Sequence, residues 1–85
     1  MISTTIFIYL VFILKKAISI DKKNYNAFFN LGNLYKEINK LEESIENFSK
    51  AISINNKHYT AYHNRAVVKG LLLKFDDAIK DFDEA

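Results

Sequence analysis

Apolar residues recur along the chain at the spacing of a helix face. Residues three or four positions apart lie on one side of an α-helix. One such stripe consists of Phe28, Leu31, Gly32 and Tyr35, and a second consists of Leu41, Ile45, Phe48, Ala51 and Ile52. The break between them falls at Asn39 and Lys40, so the pattern predicts two helices joined by a short turn. The chain has no proline and only two glycines, which favours an all-helical structure.

This two-helix unit occurs again 34 residues further along the chain. The segment Lys-Ala-Ile-Ser-Ile at 16–20 recurs unchanged at 50–54. The same shift superposes Tyr25 on Tyr59, Ala27 on Ala61, Asn30 on Asn64, Ile45 on Ile79, Phe48 on Phe82 and Ala51 on Ala85. A repeat of this length is typical of a helical solenoid, in which each unit buries its apolar face against a neighbour.

We therefore predict an all-α fold of antiparallel helix pairs. The five helices are expected at about residues 3–20, 25–38, 41–54, 59–72 and 75–85. The predicted domain division is an apolar N-terminal helix equivalent to the second helix of a partial repeat (1–24), one repeat (25–58), and a second repeat that is truncated at its C-terminus (59–85). Because a solenoid normally needs at least three units, we expect the chain to be part of a longer array.

The turns inside the two repeats differ in sequence. Asn39 is expected to end the first helix in the left-handed conformation, which Asn tolerates better than most residues. Leu73 occupies the matching position, so the second turn is expected to have a different shape. Glu42 and Glu43 fall in the first turn of the next helix, where the helix dipole favours negative charge.

The linked small and aromatic positions resemble the tetratricopeptide repeat, whose period is also 34 residues. They are Phe28, Leu31, Gly32, Tyr35, Ser44, Phe48 and Ala51, and then Tyr62, Ala66, Ala78, Phe82 and Ala85. Arg65 and Lys69 depart from the pattern by replacing Leu31 and Tyr35, and Asn56 replaces the usual proline. The resemblance implies about two to two-and-a-half repeats in a right-handed superhelical (alpha-alpha solenoid) array, with first helices that line a concave groove.

In that family the groove binds peptide segments, so the resemblance implies a protein-protein interaction scaffold or adaptor. The positions that would line the groove, called the groove residues below, are Asn26, Phe29, Asn30, Asn33, Lys36, Thr60, His63, Asn64 and Val67. An Asn amide both donates and accepts, so it can pair with an extended peptide backbone. The alternative is that Asn is simply frequent in this chain.

The resemblance also implies a narrower alternative, a co-chaperone-like adaptor that clamps a C-terminal carboxylate. Asn33 and Asn64 match two positions of such a clamp. Phe29 stands where its first lysine would be, and the third helix that would supply Lys and Arg is absent. The clamp is therefore incomplete, and a carboxylate without a cationic partner would bind weakly.

The N-terminal helix is unusually apolar, with an unbroken apolar run from Ile6 to Leu14. The run is shorter than a membrane span, and no Lys or Arg precedes it as in a secretory signal. By the repeat register, Phe7, Leu10, Val11, Leu14 and Ala17 form the buried face. The opposite face carries Ile8, Tyr9, Phe12 and Ile13 where the next unit has Glu42, Glu43, Glu46 and Asn47. We expect this second face to be covered.

Three coverings of that face remain open: a missing upstream helix, a second copy of the chain, or a bilayer surface. The first two are favoured over membrane contact. Coverage by a second copy or by a bilayer leads to an alternative function. The chain would then be a self-assembling or membrane-associated structural element, with homo-oligomer contacts through the N-terminal helix.

Charge and composition argue against nucleic-acid binding, metal binding and catalysis. A net charge of +2, mixed along the chain, provides no basic stripe for nucleic acid. The lack of cysteine is compatible with a cytoplasmic location. His58 and His63 are five residues apart, which is not the spacing that places two imidazoles on one metal ion. We expect no catalytic residues, no cofactor and no metal site, and hence no enzyme.

Overall fold

The computed structural model describes residues 3–85, which form five α-helices and no strand. The helices are α1 (Thr4–Ile20), α2 (Tyr25–Glu37), α3 (Leu41–Ile54), α4 (Tyr59–Leu71) and α5 (Phe75–Glu84). The predicted all-α fold and all five helices are confirmed, each end to within a single residue. Met1 and Ile2, which belong to the predicted N-terminal segment, lie outside the described residues.

Side-chain caps begin three of the helices. The N–H of Ile6 donates to Ser3 Oγ at 3.2 Å, and the N–H of Ala27 donates to Asn24 Oδ1 at 3.1 Å. At the start of α4, the N–H of Ala61 donates to His58 Nδ1, also at 3.1 Å. These bonds satisfy backbone donors that the first helical turn leaves without a partner. His58 can play this part only as the neutral imidazole, because the imidazolium has no acceptor.

The two turns inside the helix pairs have the same backbone conformation. Asn39 has φ 64° and Leu73 has φ 61°. In each turn the next residue donates its N–H to a carbonyl five positions earlier, Lys40 to Tyr35 and Lys74 to Lys69, both at 2.8 Å. The expectation that Leu73 would change the turn was therefore wrong. Packing of α4 against α5 holds Leu73 in a conformation that its side chain disfavours.

The core lies between the helices of each pair and between neighbouring pairs. Phe48 has no solvent exposure, and Leu31, Ala51, Ala61 and Ala66 are also buried. A Cβ on Gly32 would lie 2.6 Å from two ring carbons of Phe48, so only glycine allows this approach of α2 to α3. The buried Ser44 hydroxyl donates to the Gly32 carbonyl at 2.7 Å.

Helix α1 packs against α2, where the Phe7 ring meets the edge of Tyr35 at 6.0 Å between centroids. The residues predicted to form its buried face are only half-buried, and no residue of α1 is fully buried. On the opposite face, for which a covering was expected, Ile8, Tyr9, Phe12 and Ile13 are 59% to 67% accessible, so residues 3–85 do not cover it. Within residues 3–85, no helix combines the length and apolarity that crossing a bilayer requires.

Candidate peptide-binding face

The groove residues lie on two neighbouring helices. Five are on α2 and four are on α4, and these two helices contact each other. Those with exposed side chains are Asn26, Asn30, Thr60, His63 and Val67, whereas Phe29, Asn33, Lys36 and Asn64 are half-buried. The predicted set therefore forms a surface in which exposed residues surround half-buried ones.

Asn33 and Asn64 join the two helices. The Asn64 amide donates from Nδ2 to Asn33 Oδ1 at 3.1 Å. Each Asn side chain can make more hydrogen bonds than this one, so Asn33 retains an amide donor and Asn64 retains a carbonyl acceptor. The pair offers one donor and one acceptor side by side, the set that a peptide unit in extended conformation can match.

Two groove residues also pack against aromatic rings of other parts of the chain. Phe29 lies 5.7 Å from Phe48 and 4.6 Å from His58, measured between ring centroids. His63 has the matching place in the next repeat and lies 5.4 Å from Phe82. Phe29 and His63 therefore help to hold consecutive helices together.

A charge network that the sequence analysis did not predict holds α4 in place. Arg65 donates to both carboxylate oxygens of Asp81, from Nε to Oδ2 at 2.7 Å and from Nη2 to Oδ1 at 2.8 Å. Lys69 Nζ lies 3.0 Å from Asp81 Oδ2. A third bond runs from Arg65 Nη1 to Ser49 Oγ at 2.9 Å. Arg65 thus links α4 to both α3 and α5, directly beside Asn64.

The Asp81 side chain is almost fully removed from water, with 4% of the residue accessible. Burial by itself raises the pKa of a carboxyl group. The hydrogen bonds from Arg65 and Lys69, together with their positive charges, outweigh burial and hold the pKa of Asp81 below its ordinary value of 3.8. Asp81 is therefore ionised in the folded protein at neutral pH, and the network is a buried ion triad.

The network explains two departures from the repeat pattern. Arg65 and Lys69 replace Leu31 and Tyr35, and Asp81 stands at the position of Asn47. The three substitutions are linked by the 34-residue shift, and Arg65 and Lys69 are one helical turn apart on one face. That linkage was visible in the sequence and could have identified Asp81 as their partner.

The described residues present no obvious metal site. Among residues 3–85, no three His, Cys, Asp or Glu side chains come together in a way that could hold a metal ion. Both His58 and His63 pack against aromatic rings. The face can make hydrogen bonds through amides and a hydroxyl, and one charged contact through Lys36.

Comparison with known proteins identifies the repeat. A family model described as the tetratricopeptide repeat matches residues 25–58. Residues 25–58, 34 of the 85 residues, are therefore similar to a tetratricopeptide repeat. The match covers α2, the turn at Asn39, and α3, which are the elements that the 34-residue period defined. No curated protein matches the sequence.

Solved structures share the arrangement of the helices. A crystal structure of MamA is 26% identical, with a TM-score of 0.85 over 87% of this chain. The second TPR of Spaghetti (RPAP3), bound to an HSP90 peptide SRMEEVD, is 23% identical, with a TM-score of 0.88 over 93% of this chain. This chain spans 43% of the MamA chain and 73% of the RPAP3 chain.

These likenesses confirm the predicted fold class, an alpha-alpha solenoid of antiparallel helix pairs. Proteins of this family are generally non-enzymatic scaffolds that contact other proteins, and the fold of this chain indicates that class of function.

Proposed function

We propose that the chain is a protein-protein interaction module that binds an extended peptide segment of a partner on the groove residues. The observation that carries this proposal is the Asn64–Asn33 hydrogen bond. It fixes two amides at the junction of α2 and α4, with a donor and an acceptor left for a ligand. Preorganised polar groups bind more tightly because less side-chain freedom is lost on binding.

The surroundings of the amide pair suit an extended ligand. Asn26 and Asn30 continue the row of amides along α2, and Thr60 and Val67 border it on α4. Hydrogen bonds to the peptide backbone provide affinity without requiring one particular side chain. The RPAP3 neighbour, which shares the fold, is itself bound to a peptide, and this supports the proposal.

The test begins with selection of binding peptides from a displayed random library, because the partner is not identified. Binding of a selected peptide is then measured by calorimetry for the Asn30→Ala and Asn64→Ala variants. Loss of one hydrogen bond is expected to weaken binding by about 2- to 12-fold. Unfolding by urea should show little change in stability for Asn30→Ala.

Asn56→Ala is the matched control, because it removes the same amide from an exposed turn outside the groove residues. It should leave peptide affinity unchanged. If Asn56→Ala weakens binding as much as Asn64→Ala does, or if neither groove variant changes it, the ligand does not occupy this face.

A carboxylate clamp is a narrower form of the same proposal. The SRMEEVD peptide seen with the RPAP3 domain is a direct probe for it. In this chain Phe29 provides no positive charge where a clamp lysine would stand, and its ring packs against Phe48 and His58. We expect SRMEEVD to bind weakly, and amidation of its C-terminus to change the affinity little. A large loss on amidation would favour the clamp.

A second candidate function rests on the exposed apolar face of α1. The exposed side chains on this face are those of Ile8, Tyr9, Phe12 and Ile13. Large exposed apolar patches of this kind mark sites of contact with proteins or membranes. Self-association or membrane contact through α1 would be tested by light scattering of the full chain, without and then with detergent. Ile8→Ser with Phe12→Ser should yield monomers if this face is the interface. Oligomers that persist in the double variant would exclude it.

A further inference from the structure

A cavity of about 370 Å³ opens between the end of α1, the start of α2 and the end of α3. Its lining residues are Lys15, Ile18, Ser19, Lys22, Phe28 and Lys50. None of them is a groove residue, so the cavity is a separate surface. Its volume is within the range of ligand-binding pockets, roughly 300 to 1,000 Å³.

The cavity combines an apolar floor with a positively charged rim. Ile18 and Phe28 are half-buried, whereas Lys15, Lys22 and Lys50 are exposed. In the described part of the chain, none of these three lysines has a carboxylate within 4.0 Å. Three positive charges therefore surround an apolar recess, and none of them is paired directly with a carboxylate of residues 3–85.

The next repeat provides an internal comparison. The shift of 34 residues places Ser49, Ile52, Ser53, Asn56, Tyr62 and Glu84 at the six matching positions. The apolar, small hydroxyl and aromatic residues recur: Ile52, Ser53 and Tyr62 match Ile18, Ser19 and Phe28. All three lysines are lost, to Ser49, Asn56 and Glu84. The second repeat therefore keeps the residue types of the cavity floor but not the positive rim.

We propose that this cavity binds an acidic peptide segment, with an apolar side chain on the floor and Asp or Glu carboxylates on the lysines. The three lysines come from α1, from the loop after it and from α3. Charges spread around a recess fit several carboxylates along a peptide better than one compact anion. An ammonium group on a flexible stem can also follow each carboxylate without a fixed geometry. This surface is additional to the groove and does not depend on it.

The experiment uses a fluorescein-labelled peptide Gly-Asp-Glu-Phe-Glu-Asp with an amidated C-terminus, which has no terminal carboxylate. Fluorescence anisotropy is measured with the full chain and with the Lys15→Ser, Lys22→Asn, Lys50→Glu variant. These substitutions introduce the residues that the next repeat already has at the same positions. The loss of three exposed ion pairs should weaken binding by about 3- to 150-fold.

A variant with Lys57→Asn, Lys74→Ser and Lys80→Glu makes the same change in net charge away from the cavity, and it should bind like the unaltered chain. Circular dichroism checks that both variants keep their helices. The single Lys50→Glu variant should weaken binding by a smaller factor and provides a second test if the triple variant loses helix content.

The peptide itself supplies the remaining controls. Replacement of its Phe by Ser, or of its acidic residues by Asn and Gln, should each weaken binding, whereas Asn64→Ala in the protein should not. Equal loss in both triple variants, or no loss on replacing the peptide Phe, would overturn the proposal, since either outcome means nonspecific charge attraction. Binding of laurate without binding of the peptide would also overturn it, in favour of a small amphiphile.

Discussion

The two helix pairs have the same arrangement but are held together by different side chains. In α2/α3, Leu31 is buried and Tyr35 packs on Phe7 of the preceding helix. In α4/α5, the matching Arg65 and Lys69 instead converge on Asp81. The comparison shows that these positions accept either apolar or charged residues, provided that every buried charge has its partners.

The pairs also differ in how completely their aromatic residues are buried. Phe48 on α3 has no exposure because α2 and α4 pack around it, whereas Phe82 at the matching place on α5 is 44% exposed. Phe75 and Ile79 on the same helix are exposed as well. The same residue type at the same repeat position should therefore contribute differently to stability in the two pairs.

The largest expected effect is that of Phe48→Ala. Deleting this fully buried ring should lower the free energy of unfolding by about 3 to 5 kcal/mol. Phe82→Ala should cost roughly half of that or less, because part of the ring is already in water. Urea unfolding of both variants measures the difference. Equal losses would contradict the assignment of Phe48 to the core between consecutive repeats.

The next effect comes from breaking the ion triad. Asp81→Ala leaves Arg65 and Lys69 without their buried partner and should destabilise the protein by about 3 kcal/mol. Replacing all three residues with their first-repeat counterparts, as Arg65→Leu, Lys69→Tyr and Asp81→Asn, should leave stability unchanged or raise it by about 1 to 4 kcal/mol. Urea unfolding measures both. A triple variant as unstable as Asp81→Ala would show that the second pair depends on charge.

Acidification should distinguish the two helix pairs, because only the second pair contains Asp81 and its ion triad. The pKa of Asp81 in the folded protein lies below its ordinary value of 3.8, so its contribution to stability is fully present above that value. The contribution is lost as the pH falls through the lowered pKa, since the carboxylate must then take up a proton. Thermal unfolding across this acid range should show a loss in the unaltered chain that the triple variant lacks. Parallel pH profiles for the two proteins would contradict this assignment.

The smallest expected effect concerns the turns. Leu73 has the same positive φ as Asn39, in a conformation that disfavours a leucine side chain. Leu73→Asn should therefore raise the free energy of unfolding by about 0.5 to 1 kcal/mol, and Asn39→Leu should lower it by a similar amount. Thermal unfolding measures both changes. A stabilising Asn39→Leu would show that contacts of the leucine side chain outweigh the backbone conformation.

The sequence by itself determined the class of fold, the repeat and the helix ends. Apolar spacing and the 34-residue shift predicted the five helices, because both depend on residues that are close in the chain or repeated along it. It also identified the second apolar face of α1, which lies opposite the face packed on α2, since Ile8 and Phe12 stand where the next repeat has Glu42 and Glu46.

Only the tertiary structure decided how side chains far apart in sequence meet. It placed Asp81 between Arg65 and Lys69, joined Asn33 to Asn64, and arranged three lysines around one cavity. It also imposed on Leu73 a turn that its own preference opposes. In each case the free energy of packing whole helices exceeds the preference of a single residue, so the outcome cannot be read from that residue alone.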